Sequence, residues 1–195
     1  GGVGISTNGG NTFTNRTVAN SGLGDDFVYG VYADGATVYA ATAGGLGIST
    51  DGGATFTTRT TANGLGSNFV FGVYAIGNTV YAATNGGGLG ISTDGGNTFT
   101  NRTTANGLGS NFVLGVYAIG NTVYAAINGG GLGISTDGGA TFTTYTTADG
   151  LGSNTVWGVY ADGATVYAAT FGGVGLGVPD SSGGVGGTGG AGGRG

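Results

Sequence analysis

The sequence lacks six residue types: cysteine, histidine, methionine, lysine, glutamate and glutamine. Without cysteine and histidine, the usual zinc, copper, haem and iron–sulfur ligand sets cannot be assembled. The same absences remove the thiol nucleophile and the imidazole base of many enzymes, and they exclude disulfide bonds. We therefore expect no metal and no cofactor.

Charge is also scarce, because only 7% of the residues are charged, and nine aspartates face four arginines. Nucleic-acid binding needs a basic face that neutralises phosphates, so no nucleic-acid partner is expected. No apolar run approaches the roughly 18 residues of a membrane helix, so no membrane insertion is expected. A surface made of Thr, Asn, Ser and Gly is typical of secreted proteins and predicts an extracellular or cell-surface location.

Glycine is abundant, with 51 of 195 residues, and it is arranged in a repeat. Ser6, Ser49, Ser92 and Ser135 mark successive copies, each 43 residues after the last. The second and third copies, residues 46–88 and 89–131, differ at only four positions. A period of this length indicates stacked supersecondary units, so the repeat decides the fold.

Each copy contains four short runs of β-forming residues separated by glycine-rich turn signals. Four antiparallel strands per repeat are typical of one propeller blade. Two of the runs are apolar on both faces, as expected for sheets covered on both sides. We predict an all-β fold, a β-propeller of about four blades; the alternative is a β-solenoid-like stack of the same repeats.

The repeat begins in mid-blade, which predicts a half-blade at each end. Val3–Thr17 supplies only outer strands and Thr155–Thr170 only inner strands, with Gly175–Val178 as a vestigial further outer strand. The half-blades could pair within one chain or between chains. Residues 1–178 are predicted to form the propeller domain and residues 179–195 a Gly-rich flexible tail or linker. Because the sequence starts without methionine, we interpret it as a processed or excerpted segment.

The turn after the first run of each copy is the most regular feature. The stretch Ser49–Phe56, "STDGGATF", resembles the Asp-box, or BNR repeat, of sialidase-type propellers. In that family the box is structural and carries no reaction, so the resemblance implies structural turns here. The predicted turn residues are Ser6, Asn8, Gly10, Phe13, Ser49, Asp51, Gly53, Phe56, Ser92, Asp94, Gly96, Phe99, Ser135, Asp137, Gly139 and Phe142.

The second half of each copy carries another resemblance. Residues 63–87, "NGLGSNFVFGVYAIGNTVYAATNGG", are similar to the propeller repeat of periplasmic two-component sensors. The two resemblances together cover about residues 1–178. They imply the propeller fold and a sensor-type ligand-binding role as one candidate function.

No catalytic residue is predicted. A catalytic site needs different residues at one point, so it should appear as deviations from the repeat. The sialidase resemblance would require a glutamate, and the sequence has none. Arg16, Arg59 and Arg102 recur at one repeat position and are predicted to be solvated and splayed apart on outer strands.

Several aspartates do deviate from the repeat and could pair as a glycosidase acid and base. We interpret them as turn residues, because aspartate accepts local backbone hydrogen bonds well. These aspartates are Asp25, Asp26, Asp34, Asp149 and Asp162.

The most variable inner-strand position is occupied by Tyr29, Phe71, Leu114 and Trp157. Aromatic side chains there could face a ligand and stack on sugars. The alternative interpretation is packing between blades.

Three functions remain open. The main hypothesis is a non-catalytic extracellular structural or assembly module, a surface or filament subunit that self-associates head to tail through its half-blades. The alternative is a propeller that binds a glycan or another ligand. A glycoside hydrolase is the third and least favoured hypothesis.

Overall fold

A computed structural model of the chain describes residues 1–179 and 185–187, which are built almost entirely of antiparallel β-sheet. A two-stranded sheet, here called the half-blade, comes first and four four-stranded sheets, the first to fourth blades, follow. The half-blade contains β1 (Val3–Ile5) and β2 (Thr14–Arg16), and the first blade contains β3 (Val28–Asp34), β4 (Thr37–Thr42), β5 (Gly45–Ser49) and β6 (Thr57–Arg59). The second blade contains β7 (Val70–Ile76), β8 (Thr79–Thr84), β9 (Gly88–Ser92) and β10 (Thr100–Arg102), and the third contains β11 (Val113–Ile119), β12 (Thr122–Ile127), β13 (Gly131–Ser135) and β14 (Thr143–Tyr145). The fourth blade contains β15 (Val156–Asp162), β16 (Thr165–Thr170), β17 (Gly173–Pro179) and β18 (Val185–Gly187).

Strands that follow one another along the chain also pair in space, so each blade is a simple up-and-down meander. The prediction of four-stranded antiparallel blades is confirmed. The connections between blades contain a short helix α1 (Val18–Ser21) and three 3-10 turns, Thr61–Asn63, Thr104–Asn106 and Thr147–Asp149. No helix among residues 1–179 and 185–187 has the length and hydrophobicity that a bilayer crossing requires.

The fourth blade differs from its sequence prediction. Inner strands and only a vestigial outer strand at Gly175–Val178 were expected there, but β17 is a full strand paired with β16, and β18 pairs with β17. The reason is that Val174, Leu176 and Val178 alternate with glycine and so provide a strand of the required length. Of the predicted flexible tail, Pro179 and residues 185–187 lie in strands, and the rest lies outside the described residues.

The core lies between the blades rather than within them. Tyr39 and Leu46 of the first blade pack with Val70 and Val80 of the second, and all four are buried. Equivalent clusters join the second blade to the third and the third to the fourth. The inner sheets of the second and third blades are therefore covered on both faces, which explains why their sequence lacks an apolar–polar alternation.

Glycine permits the closest approach between blades. Gly72 on β7 faces the backbone of β11, and a Cβ on Gly72 would lie 3.1 Å from the carbonyl oxygen of Leu114. Gly30 has the same relation to Phe71, at 3.0 Å. No blade follows the fourth in the described part of the chain, and a Cβ on Gly158 would meet no described atom within 4 Å.

The arginines differ from their prediction as solvated side chains. Arg59 is half-buried, and its Nε donates to the carbonyl oxygen of Gly96 in the next blade, at 2.8 Å. Arg102 donates in the same way to Gly139 in the blade after that, at 2.8 Å. The cause is the repeat itself, because each outer strand ends beside the box turn of its neighbour. Arg59 and Arg102 therefore link adjacent blades.

The box turns are closed by side-chain hydrogen bonds. Ser49 Oγ donates to Asp51 Oδ1 at 2.7 Å, and the Gly53 N–H donates to Ser49 Oγ at 2.8 Å. The Thr55 N–H and hydroxyl donate to the Asp51 carboxylate at 2.9 and 2.7 Å. Gly53 has a φ of 85°, where a side chain would be strained, and a Cβ there would overlap Ile5 of the half-blade.

The other boxes repeat these contacts with one exception. In the first box the amide of Asn8 replaces the carboxylate, accepting from Ser6 Oγ at 2.9 Å and from the Thr12 N–H at 3.1 Å. Phe56, Phe99 and Phe142 are each 7% exposed, whereas Phe13 is 67% exposed. Phe13 lacks cover because the half-blade has no inner strands beneath it.

The close approach of the inner strands predicts the effect of adding a methyl group. Gly72→Ala should lower the free energy of unfolding by about 1–3 kcal/mol, because the facing group is backbone and can yield only if the blades separate. Gly158→Ala is the matched control and should change it by less than about 0.5 kcal/mol. Urea denaturation measures both; equal effects would contradict close packing at Gly72.

The box carboxylates predict a loss of stability in acid. Hydrogen bonds from Thr and Ser hold the pKa of Asp51, Asp94 and Asp137 well below the usual carboxyl value of 3.8. Their contribution is therefore present above that pH and lost as the pH falls toward the folded-state pKa, because the unfolded chain binds protons first. Unfolding midpoints of the wild type should decrease over that acidic range.

Replacing all three aspartates by asparagine tests this origin of the pH dependence. The asparagine at position 8 already makes the equivalent hydrogen bonds, and an amide does not titrate there. The triple variant should fold and should lose much of the acid dependence in thermal unfolding measured across pH. An unchanged slope would contradict the assignment.

Candidate functional site

The inner strands β3, β7, β11 and β15 converge at one side of the molecule. Each is the edge strand of its sheet, and contacts join β3 to β7, β7 to β11 and β11 to β15. The four blades therefore fan out from these strands. An edge strand keeps unpaired backbone N–H and C=O groups along its free side, so this surface offers both donors and acceptors.

Every inner strand carries a β-bulge near its start. In β3 the pairing passes from Val28 opposite Thr42 to Gly30 opposite Ala41, which leaves Tyr29 as the extra residue. The pairing shifts at the same place in β7, β11 and β15. A bulge re-aims a side chain and is common beside functional sites. The four bulged residues are Tyr29, Phe71, Leu114 and Trp157.

Aromatic rings connect the bulges of the first and second blades and reach the start of the third, and a separate pair of rings lies at the bulge of the fourth. The ring of Tyr29 lies 4.9 Å from that of Phe69 and 5.5 Å from that of Phe71, measured between centroids. Phe71 stacks on Phe112 of the third blade, at 5.3 Å and an interplanar angle of 19°. We call this surface the aromatic row; its members are Phe27, Tyr29, Phe69, Phe71, Phe112, Trp157 and Phe171.

The ends of the aromatic row are open to solvent. Trp157 is 52% exposed and lies 5.7 Å from Phe171, which is more exposed still. Tyr29 and Phe27 are also exposed, while Phe71 and Phe112 are half-buried. Leu114 interrupts the row in the third blade. The row can therefore present several ring faces to a ligand.

A second series of rings runs parallel to the first, three residues further along each inner strand. Tyr32, Tyr74, Tyr117 and Tyr160 follow one another at 4.8, 5.0 and 5.0 Å between ring centroids. Burial raises the pKa of Tyr74 and Tyr117, and the neighbouring phenols add to this effect. These hydroxyls stay neutral at physiological pH and can both donate and accept hydrogen bonds.

The box turns lie at the opposite end of each blade. The Gly52 N–H donates to the carbonyl oxygen of Ala36 in the β3–β4 turn, at 2.9 Å. Tyr29 lies at the other end of β3, roughly 17 Å away at about 3.3 Å per residue. The box residues and the aromatic row are thus separate features of the fold.

Three of the deviating aspartates replace residues that make the same backbone hydrogen bonds elsewhere. Asp25 accepts from the Phe27 N–H at 2.7 Å, as Ser67 does from Phe69. Asp26 accepts from the Val18 N–H at 2.8 Å, where other copies use asparagine.

Asp149 caps a 3-10 turn by accepting from the Thr146 N–H at 2.8 Å. Asp34 and Asp162 are exposed at the ends of β3 and β15. All five aspartates therefore have local positions that explain their residue type, as interpreted from the sequence.

Sequence reasoning found the four bulge positions but missed the bulge and four of the rings. Phe27, Phe69 and Phe112 stand two residues before the bulges of the first three blades, where the fourth has Thr155, and Phe171 follows β16. Their recurrence at one repeat position was a usable signal, since it marks a ring two residues before three of the four variable positions. The bulge had no sequence signal beyond the following glycine.

Solved structures support the fold. The chain matches the extracellular domain of a protein described as a hybrid two component system, BT3049 from B. thetaiotaomicron, with a TM-score of 0.73 and 17% identity over 90% of this chain. It matches YCF48 from Cyanidioschyzon merolae with a TM-score of 0.60 and 16% identity over 88% of this chain. The fold is that of a β-propeller.

A third match is an ancestral GH74 enzyme, with a TM-score of 0.61 and 22% identity over 77% of this chain. The chain spans 26% of the BT3049 domain, 58% of YCF48 and 22% of the GH74 enzyme. The half-blade and four blades, here called the propeller arc, therefore correspond to part of each of these proteins. No family model and no curated protein matches the sequence.

The buried phenols predict a delayed alkaline titration. Burial raises the pKa of Tyr39, Tyr74, Tyr81, Tyr117 and Tyr124 above the ordinary value of 10.0. Half of the ten tyrosines should therefore ionise late in the native protein and normally in denaturant, as followed by phenolate absorbance. Tyr74→Phe should remove one late-titrating group; removal of an early one instead would contradict the assignment.

Proposed function

We propose that this chain is a non-catalytic, extracellular ligand-binding part of a β-propeller, and that a neutral glycan binds across its aromatic row. The observation that carries the proposal is the coincidence of three features at one position. The repeat varies there, the strand bulges there, and exposed or half-buried rings meet there across adjacent blades. Packing alone would not require variation where the rest of the repeat is nearly constant.

The chemistry of the aromatic row favours an uncharged ligand with both apolar and hydroxyl faces. No charged residue belongs to the row. Ring faces suit the apolar faces of sugar rings, while backbone groups and the nearby Tyr32, Tyr74 and Tyr117 hydroxyls suit sugar hydroxyls. Sites for small ligands commonly combine apolar lining with a few polar groups in this way.

The structural matches support a sensor-type role more than an assembly role or an enzyme. BT3049 is described as the extracellular domain of a two component system, which is a signalling context. The matched GH74 enzyme shares the fold, and the aspartates that could act as acid and base here make local backbone hydrogen bonds or lie at exposed turns. These observations fit best a set of blades that forms part of a larger propeller and contributes to its ligand-binding surface.

Two substitutions test the role of the row without disturbing the blade. Phe71→Leu places at position 71 the residue that the third blade already holds at position 114, so packing should be preserved. Loss of one stacked ring should weaken binding of a glycan hit roughly 2- to 10-fold. Leu114→Phe should complete the row and strengthen binding by a similar factor.

A glycan array with the wild-type chain identifies the ligand, and calorimetry with that glycan measures the two variants. Ile119→Ala is the control, because Ile119 is an exposed apolar residue at the other end of an inner strand. Absence of any glycan binding would contradict the proposal. Equal losses in Phe71→Leu and Ile119→Ala would show that the row is not the site.

A further inference from the structure

The two ends of the propeller arc expose apolar side chains at positions that are buried between internal blades. Val174 of the fourth blade is 68% exposed, whereas Leu46, at the same repeat position in the first blade, is fully buried. Phe13 of the half-blade is exposed where its three counterparts are buried. Both ends therefore lack a neighbour of the kind found inside the chain.

At the first end, the described residues include no inner strands for the half-blade. The half-blade consists of β1 and β2 alone, which correspond to the two outer strands of a blade. A groove of about 230 Å³, lined by residues 2–4 and 28–31, lies between β1 and β3. Two inner strands would occupy this space in a complete blade. They would pair with the free edge of β1 and cover Val28 and Val31 on β3.

The second end carries a pair of inner strands whose outer partner, β17, exposes two apolar side chains. The hairpin β15–β16 belongs to a complete blade, but the apolar side chains of β17, Val174 and Leu176, are exposed. In contrast, Val3 on β1 is buried against the first blade. Removing β17 would therefore uncover little apolar surface that is now buried.

β17 is also a sequence copy of β1. Residues 172–176 read "GGVGL" and residues 1–5 read "GGVGI". β17 pairs with β16 through Gly175 opposite Ala168, in the register that Gly47 and Ala40 adopt in the first blade. By that register, β1 fits the same edge of β16 with Gly4 opposite Ala168.

We propose that a second copy of this chain docks head to tail, with its β15–β16 hairpin inserted in the groove and paired with β1 in place of β17. Each junction then becomes a complete blade with a closed box turn, like the blades inside the chain. The contact is heterologous, so the assembly forms a ring if its rotation closes and a filament if it does not.

The absence of cysteine from the chain allows a direct test by disulfide trapping. The variants Gly4→Cys and Ala168→Cys are mixed, oxidised and separated on a non-reducing gel. A Cβ on Gly47 would lie 3.6 Å from that of Ala40 in the equivalent internal pair, close to the roughly 3.8 Å of a disulfide. A crosslinked dimer that contains both variants is the expected result.

Ala125→Cys is the matched control for Ala168→Cys. Ala125 has the same place in the third blade, where it is paired with Gly133 of the same chain. It should give no dimer with Gly4→Cys. If Gly4→Cys forms dimers in equal yield with Ala168→Cys and with Ala125→Cys, the proposal is overturned, because the crosslinks would then arise from random collision.

Locking β17 in place tests the exchange itself. In Ala168→Cys/Gly175→Cys, a Cβ on residue 175 lies 3.9 Å from that of residue 168, so an internal disulfide can form. Light scattering should show multiples of the 18.5 kDa chain for the wild type and for the reduced variant, and a monomer for the oxidised variant. A monomeric wild type, or an oxidised variant that still assembles, would overturn the proposal.

Discussion

Close face-to-face packing of adjacent sheets is the constraint on which the rest of this structure depends. The inner strands are apolar on both sides, so a blade gains most of its buried surface from the neighbouring blades that cover its faces. Gly30 and Gly72 allow backbones to approach within a distance that a Cβ would crowd. The box hydrogen bonds and the arginine links act around this packing, at the outer ends of the same interfaces.

The same constraint separates structural from variable positions. Residues that face a neighbouring blade must keep their size, so tyrosine, alanine, leucine and isoleucine recur at fixed places in the repeat. The bulged position escapes this requirement, because its side chain lies at the inner end of the interface and partly in solvent. Tyr29, Phe71 and Trp157 can therefore differ without loss of the fold, and the aromatic row gains its variety there.

The strands and blades could be predicted from the sequence because the repeat shows each turn and strand pattern several times. Four copies of one turn and one strand pattern point to the same answer, whereas a single copy would be ambiguous. Sequence reasoning did not reach the completion of the fourth blade, because β17 lacks the box motif that marks other outer hairpins. It also did not reach the contacts of Arg59 or the rings beside Phe71, which depend on how neighbouring blades are placed in space.

The near-identity of the second and third repeats has an evolutionary consequence. Their interfaces use the same side chains at most places, with Thr84 and Ile127 as a buried exception, so one internal blade can replace the other with few changes of contact. Recombination that deletes or duplicates one 43-residue unit would leave every remaining junction intact. A single genetic event of this kind would change the number of blades in the arc.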